Sequence, residues 1–573
     1  MSPQNQKQVV QRSLKVPLLP GIPDLLARIY AARDVQHSDE LQRGLAALPD
    51  YRSLSGIATA VELLCQARDE QQRVLIVADF DADGATSCAL MMRGLKLFGF
   101  EHVDYLVPNR FEYGYGLTPE IVALAAQRQP QLLITVDNGI SSHAGVAAAR
   151  EAGMQVLVTD HHLPAETLPC ADAIVNPNQS GDQFPGKNIA GVGVAFYLLL
   201  ALRAHLREVR GEQGPNLAQL LDLVALGTVA DVVPLDVVNR VLVAQGIARI
   251  RAGECVPGIQ ALLEIAGRRS QRLVASDLGF AVGPRLNAAG RLEDMSLGIE
   301  CLLADDMQAA RAMAQRLDEL NQARRDIEQD MQQQALAIVE ALHLDDEQVM
   351  PFGLCLYEPD WHQGVIGILA GRIKDRLHRP VIAFARAGKG ELKGSARSVP
   401  GLHIRDALDA VAARHPQLLS KFGGHAMAAG LSLAEENFTA FAEAFDDEVR
   451  HHLQQDDLQG IVHTDGELAA HELNLDVAEL LREAGPWGQA FPEPVFEGEF
   501  AVIKRRIVGE KHLKLVVQGE GGQDNIDAIA FFQTDDDWPE QVSRLRLVYR
   551  LDVNEYAGRR SPQLVVEHLE IID

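Results

Sequence analysis

Between residues 74 and 175 five short apolar runs recur: Val74–Ala78, His102–Val107, Leu132–Val136, Gln155–Thr159 and Ala173–Val175. Stretches rich in Ala and Leu separate them, such as Thr118–Ala126 and Gly145–Ala152, and these read as helices. Short runs that are β-branched and continuously apolar suit strands buried on both faces. Strand–helix alternation with short linkers implies a parallel, doubly wound sheet over roughly residues 50–230. Ligands of open parallel sheets bind at the carboxyl ends of the strands. The residues that follow each run are therefore where chemistry is expected.

Those residues are acidic or imidazole. The first run ends in Asp79-Phe80-Asp81-Ala82-Asp83-Gly84, the third in Asp137-Asn138-Gly139, and the fourth in Asp160-His161-His162. A further carboxylate, Asp231, follows the apolar stretch Leu223–Ala230. Alternate residues of an extended segment point the same way. Clustered carboxylates repel, and burial raises their cost, unless a metal compensates them. An EF-hand loop shares the Asp-x-Asp-x-Asp-Gly spelling, but it needs a Glu at its twelfth position, where this chain has Leu90. It also needs a helix in front, where this chain has a strand-like run. Carboxylates with imidazoles and no thiolates suit Mn²⁺ or Mg²⁺. The supply of ligands exceeds one ion's needs, and two ions sharing a bridging carboxylate carry out in-line phosphoryl displacement.

The chain has 573 residues, so about three or four domains are expected. Its 47% apolar and 23% charged residues are those of a soluble globular protein. The apolar runs fall short of a membrane span, and the N-terminus, Met-Ser-Pro-Gln-Asn-Gln-Lys, lacks a signal-peptide core. Six scattered cysteines with no Cys-x-x-Cys pair argue against structural zinc and fit a reducing compartment, so a cytoplasmic location is expected; the short apolar runs suggest no membrane partner. A net charge of −26 argues against a nucleic-acid partner only if the charge is evenly spread. Basic clusters occur at Arg268, Arg269 and Arg272, at Lys504, Arg505 and Arg506, at Lys511 and Lys514, and at Arg559 and Arg560. An acidic exterior with a basic channel would steer an anion inward.

Residues 304–345 contain no Gly or Pro, and Met313, Leu317, Leu320, Ile327, Met331, Ala335, Ile338 and Leu342 recur at helical spacing. This predicts a long connecting helix. A second α/β segment follows, Gly-rich at Gly388, Gly390, Gly394, Gly423 and Gly424. Beyond it, five strand-like runs between Phe500 and Ile572 fit a small OB-type barrel. The expected organisation is an N-terminal segment (1–45), a parallel-sheet domain (46–303), the helix (304–345), a second α/β domain (346–452) and the barrel domain (453–573).

The strand-end motifs resemble motifs I to IV of the DHH phosphoesterases: Asp79-Phe-Asp-Ala-Asp-Gly84, Val136-Asp-Asn-Gly139, Thr159-Asp-His-His162 and Gly227-Thr-Val-Ala-Asp231. Four later segments resemble the branch of that family that degrades single-stranded DNA from the 5′ end: Gly283-Pro-Arg-Leu-Asn-Ala-Ala-Gly-Arg291, Trp361-His-Gln-Gly-Val-Ile-Gly367, Gly394-Ser-Ala-Arg-Ser398 and Gly423-Gly-His-Ala-Met-Ala-Ala-Gly430. So does Gly485-Pro-Trp-Gly-Gln-Ala-Phe-Pro-Glu-Pro-Val-Phe496. The resemblance implies a DHH-type parallel-sheet domain, a DHHA1-type second α/β domain and an OB-like nucleic-acid-binding barrel.

The same resemblance implies two Mn²⁺ or Mg²⁺ ions. Asp79, Asp81 and Asp137 would hold one, and Asp83, Asp137, His161 and Asp231 the other. His162 would stand beside the scissile phosphate, with Asp160 orienting a histidine. Arg110, Arg285, Ser395 and Arg397 would bind phosphate, and Asn287, Gly424 and His425 would also face the substrate. Phe111, Tyr113 and Tyr115 could stack on bases; Lys504, Arg505, Arg506, Lys511 and Lys514 could contact the DNA backbone. The family implies release of 5′-mononucleotides in DNA repair and recombination, with a single-strand-binding protein and a recombination helicase as partners. The alternatives are another DHH phosphoesterase acting on oligoribonucleotides or small nucleotides, and a non-enzymatic single-strand-binding module. The latter leaves the converging carboxylates without a purpose.

Overall fold

A computed structural model of the chain describes residues 7–109, 116–343, 350–388, 390–519, 521–522, 524–534, 538, 542–556 and 558–572. Arg110, Phe111, Tyr113 and Tyr115 lie outside the described residues. The five apolar runs form β1 (Val74–Ala78), β2 (Val103–Leu106), β3 (Leu132–Val136), β4 (Gln155–Thr159) and β5 (Ala173–Val175). They pair in parallel in the order β2-β1-β3-β4-β5. All of β1 and β3 is buried, which explains why their sequences are unbroken apolar runs.

After β1 the chain forms β2 on one flank, then returns to β3 on the other. This reversal opens a crevice at the carboxyl ends of β1 and β3. Ala78 is in register with Val136, and Val136 with Thr159. The next residues, Asp79, Asp137 and Asp160, consequently stand side by side. Helix α1 (Ala82–Leu97) packs against α2 (Gly191–Arg210) and α3 (Leu221–Ala230). The first eight residues of α3 are buried, so it is apolar on all sides, and it delivers Asp231 at its C-terminal end.

Two compact units emerge. One combines residues 11–321 with 463–573; the other is built mainly from 322–462. After α4 (Gly283–Leu292), helix α5 (Met307–His343) belongs to both. Its first half contributes Ala310, Ala314, Leu317 and Leu320 to the first unit's core, and its second half contributes Met331, Ala335 and Val339 to a core of the second.

The second unit holds a mixed sheet of β6 (Leu354–Tyr357), β7 (Val381–Gly388), β8 (Glu391–Arg397), β9 (Lys421–Gly424) and β10 (Ala428–Ala434). The order is β9-β10-β8-β7-β6, with β6 and β7 parallel and the rest antiparallel. Helix α6 (Ile366–Leu377) packs on β7 and β8.

In the first unit, α7 (Leu475–Ala484) leads into a barrel of β11 (Phe496–Val508), β12 (His512–Gly519), β13 (Asn525–Ala530), β14 (Arg544–Tyr556) and β15 (Arg559–Ile571). The strands close as β11-β12-β13-β15-β14, and β14 returns to β11, which is the OB arrangement. Among the described residues, no helix is long and apolar enough to cross a membrane. All six cysteines are free.

Candidate active site

The turn after β1 is built by its own aspartates. The Phe80 amide donates to Asp79 Oδ1 (2.8 Å). Asp81 caps α1, with Oδ1 accepting from the amides of Asp83 (2.9 Å) and Gly84 (3.0 Å). A Cβ on Gly84 would lie 2.4 Å from the Asp79 carbonyl oxygen, so the turn requires glycine. Asp83 is fully buried, and its oxygens accept from the amides of Gly191 (2.6 Å) and Val192 (3.0 Å). Those amides open α2, where the helix dipole favours an anion.

Asp137 sits at the end of β3 in the left-handed region (φ +62°). A Cβ on Gly191 would come 2.6 Å from its Oδ1. His161 Nε2 lies 3.2 Å from Asp137 Oδ1 and 3.5 Å from Asp231 Oδ2. These three atoms are buried, and none has a hydrogen-bond partner among the described residues. Unpaired buried donors and acceptors are rare, and three aimed at one point form a cradle for a cation. Ligand atoms converge within 4.8 Å in three sets: Asp79, Asp81 and Asp137; Asp83, His161 and Asp231; and Asp137, His161 and His162. All-oxygen and imidazole donors of this kind fit a hard divalent ion. Asp137 and His161 each belong to two of the sets.

Asp160 faces another way. Its Oδ1 accepts from the amides of His161 (2.7 Å) and His162 (3.1 Å) and pairs with His162 Nδ1 (2.7 Å). Its Oδ2 accepts from the Ile140 amide (2.9 Å). It is the carboxylate that orients His162. The side-chain Nδ2 groups of Asn176 and Asn178 donate to the carbonyls of His162 (2.9 Å) and His161 (2.6 Å), fixing the same loop.

The electrostatics match the geometry. Burial, then repulsion from neighbouring aspartates, pushes Asp79, Asp137 and Asp231 well above the usual carboxylate range and Asp83 up to about 7. Burial and the neighbouring His162 cation lower His161 to about 4, keeping it neutral, as a metal ligand must be. Burial opposes a charge on His162 too, but Asp160 and the surrounding aspartates outweigh it and raise it to about 9. Burial likewise opposes the Asp160 charge, yet its bonds to His162 and the Ile140 amide hold it low. The cluster carries a surplus of negative charge that a cation would relieve.

The remaining expected substrate residues are placed variously. Arg285 is buried and already engaged: Nε donates to Asp318 Oδ1 (2.8 Å) and a terminal nitrogen to the Ala281 carbonyl (2.6 Å). Asn287 Oδ1 accepts from the Ala82 amide (2.9 Å), tying α4 to the aspartate turn.

In the second unit, Ser395 and Arg397 share one face of β8, and Arg397 donates to Ser395 Oγ (3.1 Å) and the Ala396 carbonyl (2.8 Å). Burial lowers the Arg397 pKa, and no carboxylate among the described residues pairs with it. Gly367 lies against both, since a Cβ there would be 2.9 Å from each side chain. Gly424 turns the chain between β9 and β10 at φ +148°, where a Cβ would be 2.4 Å from the Ala428 carbonyl oxygen. The His425 amide donates to that carbonyl (2.8 Å). On the barrel, Lys514 pairs with Asp527 (2.9 Å) and Arg505 lies over the Trp538 ring, while Lys504, Arg506 and Lys511 are exposed.

Sequence reasoning missed the amides of Gly191 and Val192, which hold Asp83 and crowd Asp137. The available signal was a Gly-x-Gly opening a long apolar helix, Gly191-Val192-Gly193.

Comparison with known proteins agrees with this architecture. The DHH family N-terminal domain matches residues 73–228, the DHHA1 domain residues 349–451, and the RecJ OB domain residues 464–568. The single-stranded-DNA-specific exonuclease RecJ of Dickeya dadantii is 59% identical over 555 residues, 96% of each chain. The crystal structure of Thermus thermophilus RecJ with Mn²⁺ superposes with a TM-score of 0.79 at 30% identity, covering 99% of this chain and 80% of that one. Its Mg²⁺ complex gives 0.75 at 28% identity, covering 99% and 79%.

Proposed function

The chain belongs to the RecJ family of single-stranded-DNA-specific exonucleases, and on that premise we propose how its residues serve the reaction. The strand-end residues would hold two divalent ions, Mn²⁺ or Mg²⁺: Asp79, Asp81 and Asp137 would hold one, and Asp83, Asp137, His161 and Asp231 the other. The observation that carries this reading is the convergence of Asp137 Oδ1, His161 Nε2 and Asp231 Oδ2, buried and without hydrogen-bond partners among the described residues. When bound, such ions make water a better nucleophile at neutral pH and offset the charge that grows on the phosphoryl oxygens.

The protein groups do the rest. The Gly191 and Val192 amides hold Asp83 in one orientation, and Asn287 holds the Ala82 amide, so the aspartate turn is rigid before substrate arrives. His162, kept protonated by Asp160, donates to the phosphate or to the leaving oxygen. Arg397 and Ser395, with Gly424 and His425, bind the 5′-terminal phosphate; a guanidinium that pairs with no carboxylate among the described residues offers it a planar fork. Arg285 keeps Asp318 as its partner and supports α4 from behind. Lys504, Arg506 and Lys511 contact the sugar-phosphate backbone. The product is a 5′-mononucleotide and the polarity 5′→3′. The reading extends to DNA repair and recombination in the cytoplasm, alongside a single-strand-binding protein and a recombination helicase.

The test is incubation with 5′-labelled single- and double-stranded DNA in Mn²⁺. Mononucleotides should appear only from the single strand, and EDTA should stop their release. Equal attack on both substrates, or cleavage that EDTA leaves intact, would refute the proposal. Preferential hydrolysis of small nucleotides would favour the other DHH phosphoesterases instead.

A further inference from the structure

In the second unit, the register of β8, β9 and β10 sets out one face of the sheet in rows. Gly423 pairs with Gly430 and Gly430 with Ser395, which makes one row. Lys421 pairs with Ser432 and Ser432 with Lys393, which makes the next. Paired residues share a face, and alternate residues along a strand return to it, so both rows stand on the side of Arg397. Two glycines here are not explained by the fold. A Cβ on Gly423 or Gly430 would meet nothing within 4 Å, and neither residue lies in the left-handed region. Gly394, on the opposite face, is the contrast: a Cβ there would come 2.6 Å from Phe384 and 2.8 Å from Leu431. Glycine inside a strand costs stability and gives nothing to pack. Where neither the backbone nor the core demands it, the close approach of a ligand does.

The lysine row carries an independent sign. Ser432 is only 9% exposed, and its hydroxyl has no hydrogen-bond partner among the described residues. It lines a shallow pocket of about 280 Å³ together with Lys393, Lys421 and Gly430. Neither lysine pairs with a carboxylate among the described residues. Glu391 stands one row further on, opposite Ala434, and ends the basic stretch. A buried hydroxyl between two ammonium groups is a donor set that asks for an anion. Ser395, two residues from Lys393 and so about 7 Å along β8, is already read with Arg397 as the seat of the 5′-terminal phosphate. In an enzyme that releases mononucleotides, the next phosphate along the strand is the scissile one, and it belongs to the carboxylate cluster. The lysine row is left for phosphates on the other side, beyond the 5′ terminus.

We propose that Lys393, Lys421 and Ser432 bind the outer phosphates of a 5′-polyphosphorylated strand, so that the enzyme trims 5′-triphosphate ends as well as monophosphate ends. The proposal rests on the reading of Ser395 and Arg397 as the 5′-phosphate site. The bare glycine row lets the polyphosphate lie against the sheet between the two sets of donors. In the first turnover water adds to the phosphorus of the first internucleotide linkage, and the bond to the 3′ oxygen breaks. That oxygen takes up a proton. The first nucleotide leaves as a nucleoside 5′-triphosphate, and the remaining strand begins with a 5′-monophosphate.

The experiment follows the full-length protein in Mn²⁺ on oligodeoxythymidylate bearing a 5′-triphosphate or a 5′-monophosphate. Wild-type protein should release thymidine 5′-triphosphate from the first. The ratio of kcat/KM for the triphosphate strand to that for the monophosphate strand should fall roughly 10- to 100-fold in the Lys393→Ala/Lys421→Ala double variant, through KM. It should recover in Lys393→Arg/Lys421→Arg. A wild type that trims only the monophosphate strand would overturn the proposal. So would an unchanged ratio in the alanine variant, which includes equal loss on both strands through a backbone contact or a packing defect. Calorimetric titration with inorganic tripolyphosphate in EDTA gives a readout apart from hydrolysis: wild type should bind it, and the alanine variant should bind it at least about tenfold more weakly. Equal binding would overturn the proposal. Wild-type protein that binds tripolyphosphate through the lysines but hydrolyses neither strand would refute the nuclease reading and leave the anion site standing, so the two failures are distinguishable.

Discussion

The carboxylate cluster at the strand ends and the Arg397–Ser395 pair on β8 are opposite defects in charge balance. In the first, burial and mutual repulsion raise several aspartates, and three buried polar atoms have no hydrogen-bond partner among the described residues. In the second, a partly buried guanidinium donates to a hydroxyl and a carbonyl and pairs with no carboxylate among the described residues. Compare Arg33, whose terminal nitrogen pairs with Asp465 at 2.7 Å with both side chains almost fully buried. That pair is balanced and structural. On the proposed reading, a bound cation would balance the first cluster and a substrate phosphate the second. Uncompensated burial, more than residue type, separates the functional charges from the architectural ones.

Removing one member from each cluster should therefore fail in different ways. His161→Ala removes a donor from the cation side, and activity should fall at least about 10³-fold on every substrate, because the electrostatic help of an ion amounts to several kcal/mol. Single-strand binding should remain measurable by fluorescence anisotropy. If His161→Ala degraded DNA at a near-normal rate, the metal assignment would be wrong.

Arg397→Ala removes the anion side, and its effect should be smaller and selective. KM for a 5′-phosphorylated strand should rise roughly 10- to 100-fold, the worth of one or two charge-assisted hydrogen bonds. Steady-state kinetics on 5′-phosphorylated and 5′-hydroxyl strands would separate the cases. Equal losses on both ends would assign Arg397 to packing and erase the contrast with the carboxylate site.

Much of the carboxylate site was legible in the sequence because it depends on a local rule. Five short apolar runs specify parallel strands, and the residues after parallel strands meet at one edge. Asp79, Asp137 and Asp160 follow from that rule; that His161, one residue further on, joins the cluster while Asp160 turns to His162 and the Ile140 amide does not. The partners that complete the site depend on tertiary contacts and left little trace. Asp83 meets amides 108 and 109 residues away, and Arg285 is occupied by Asp318, on a different helix.

The same limit explains residues 1–45, whose sequence carries no motif. The helix Asp24–Ala32 works by long-range contacts: the Tyr30 hydroxyl donates to the Ala484 carbonyl (2.9 Å), Arg33 Nε donates to the Pro492 carbonyl (2.7 Å), and the Arg33 guanidinium lies over the Trp487 ring. This segment fastens the approach to the barrel, a purpose visible only when residues more than 450 positions apart are brought together. The barrel itself was readable from its strand spacing. Its closure through a parallel pairing of β13 with β15 was not.

The central claim is that Asp137 is shared by two divalent ions. Counting bound Mn²⁺ per chain by electron paramagnetic resonance titration, in the wild type and in Asp137→Ala, tests it most directly. The account predicts two ions in the wild type and loss of tight binding at both positions in the variant. One ion in the wild type, or two retained in Asp137→Ala, would contradict it.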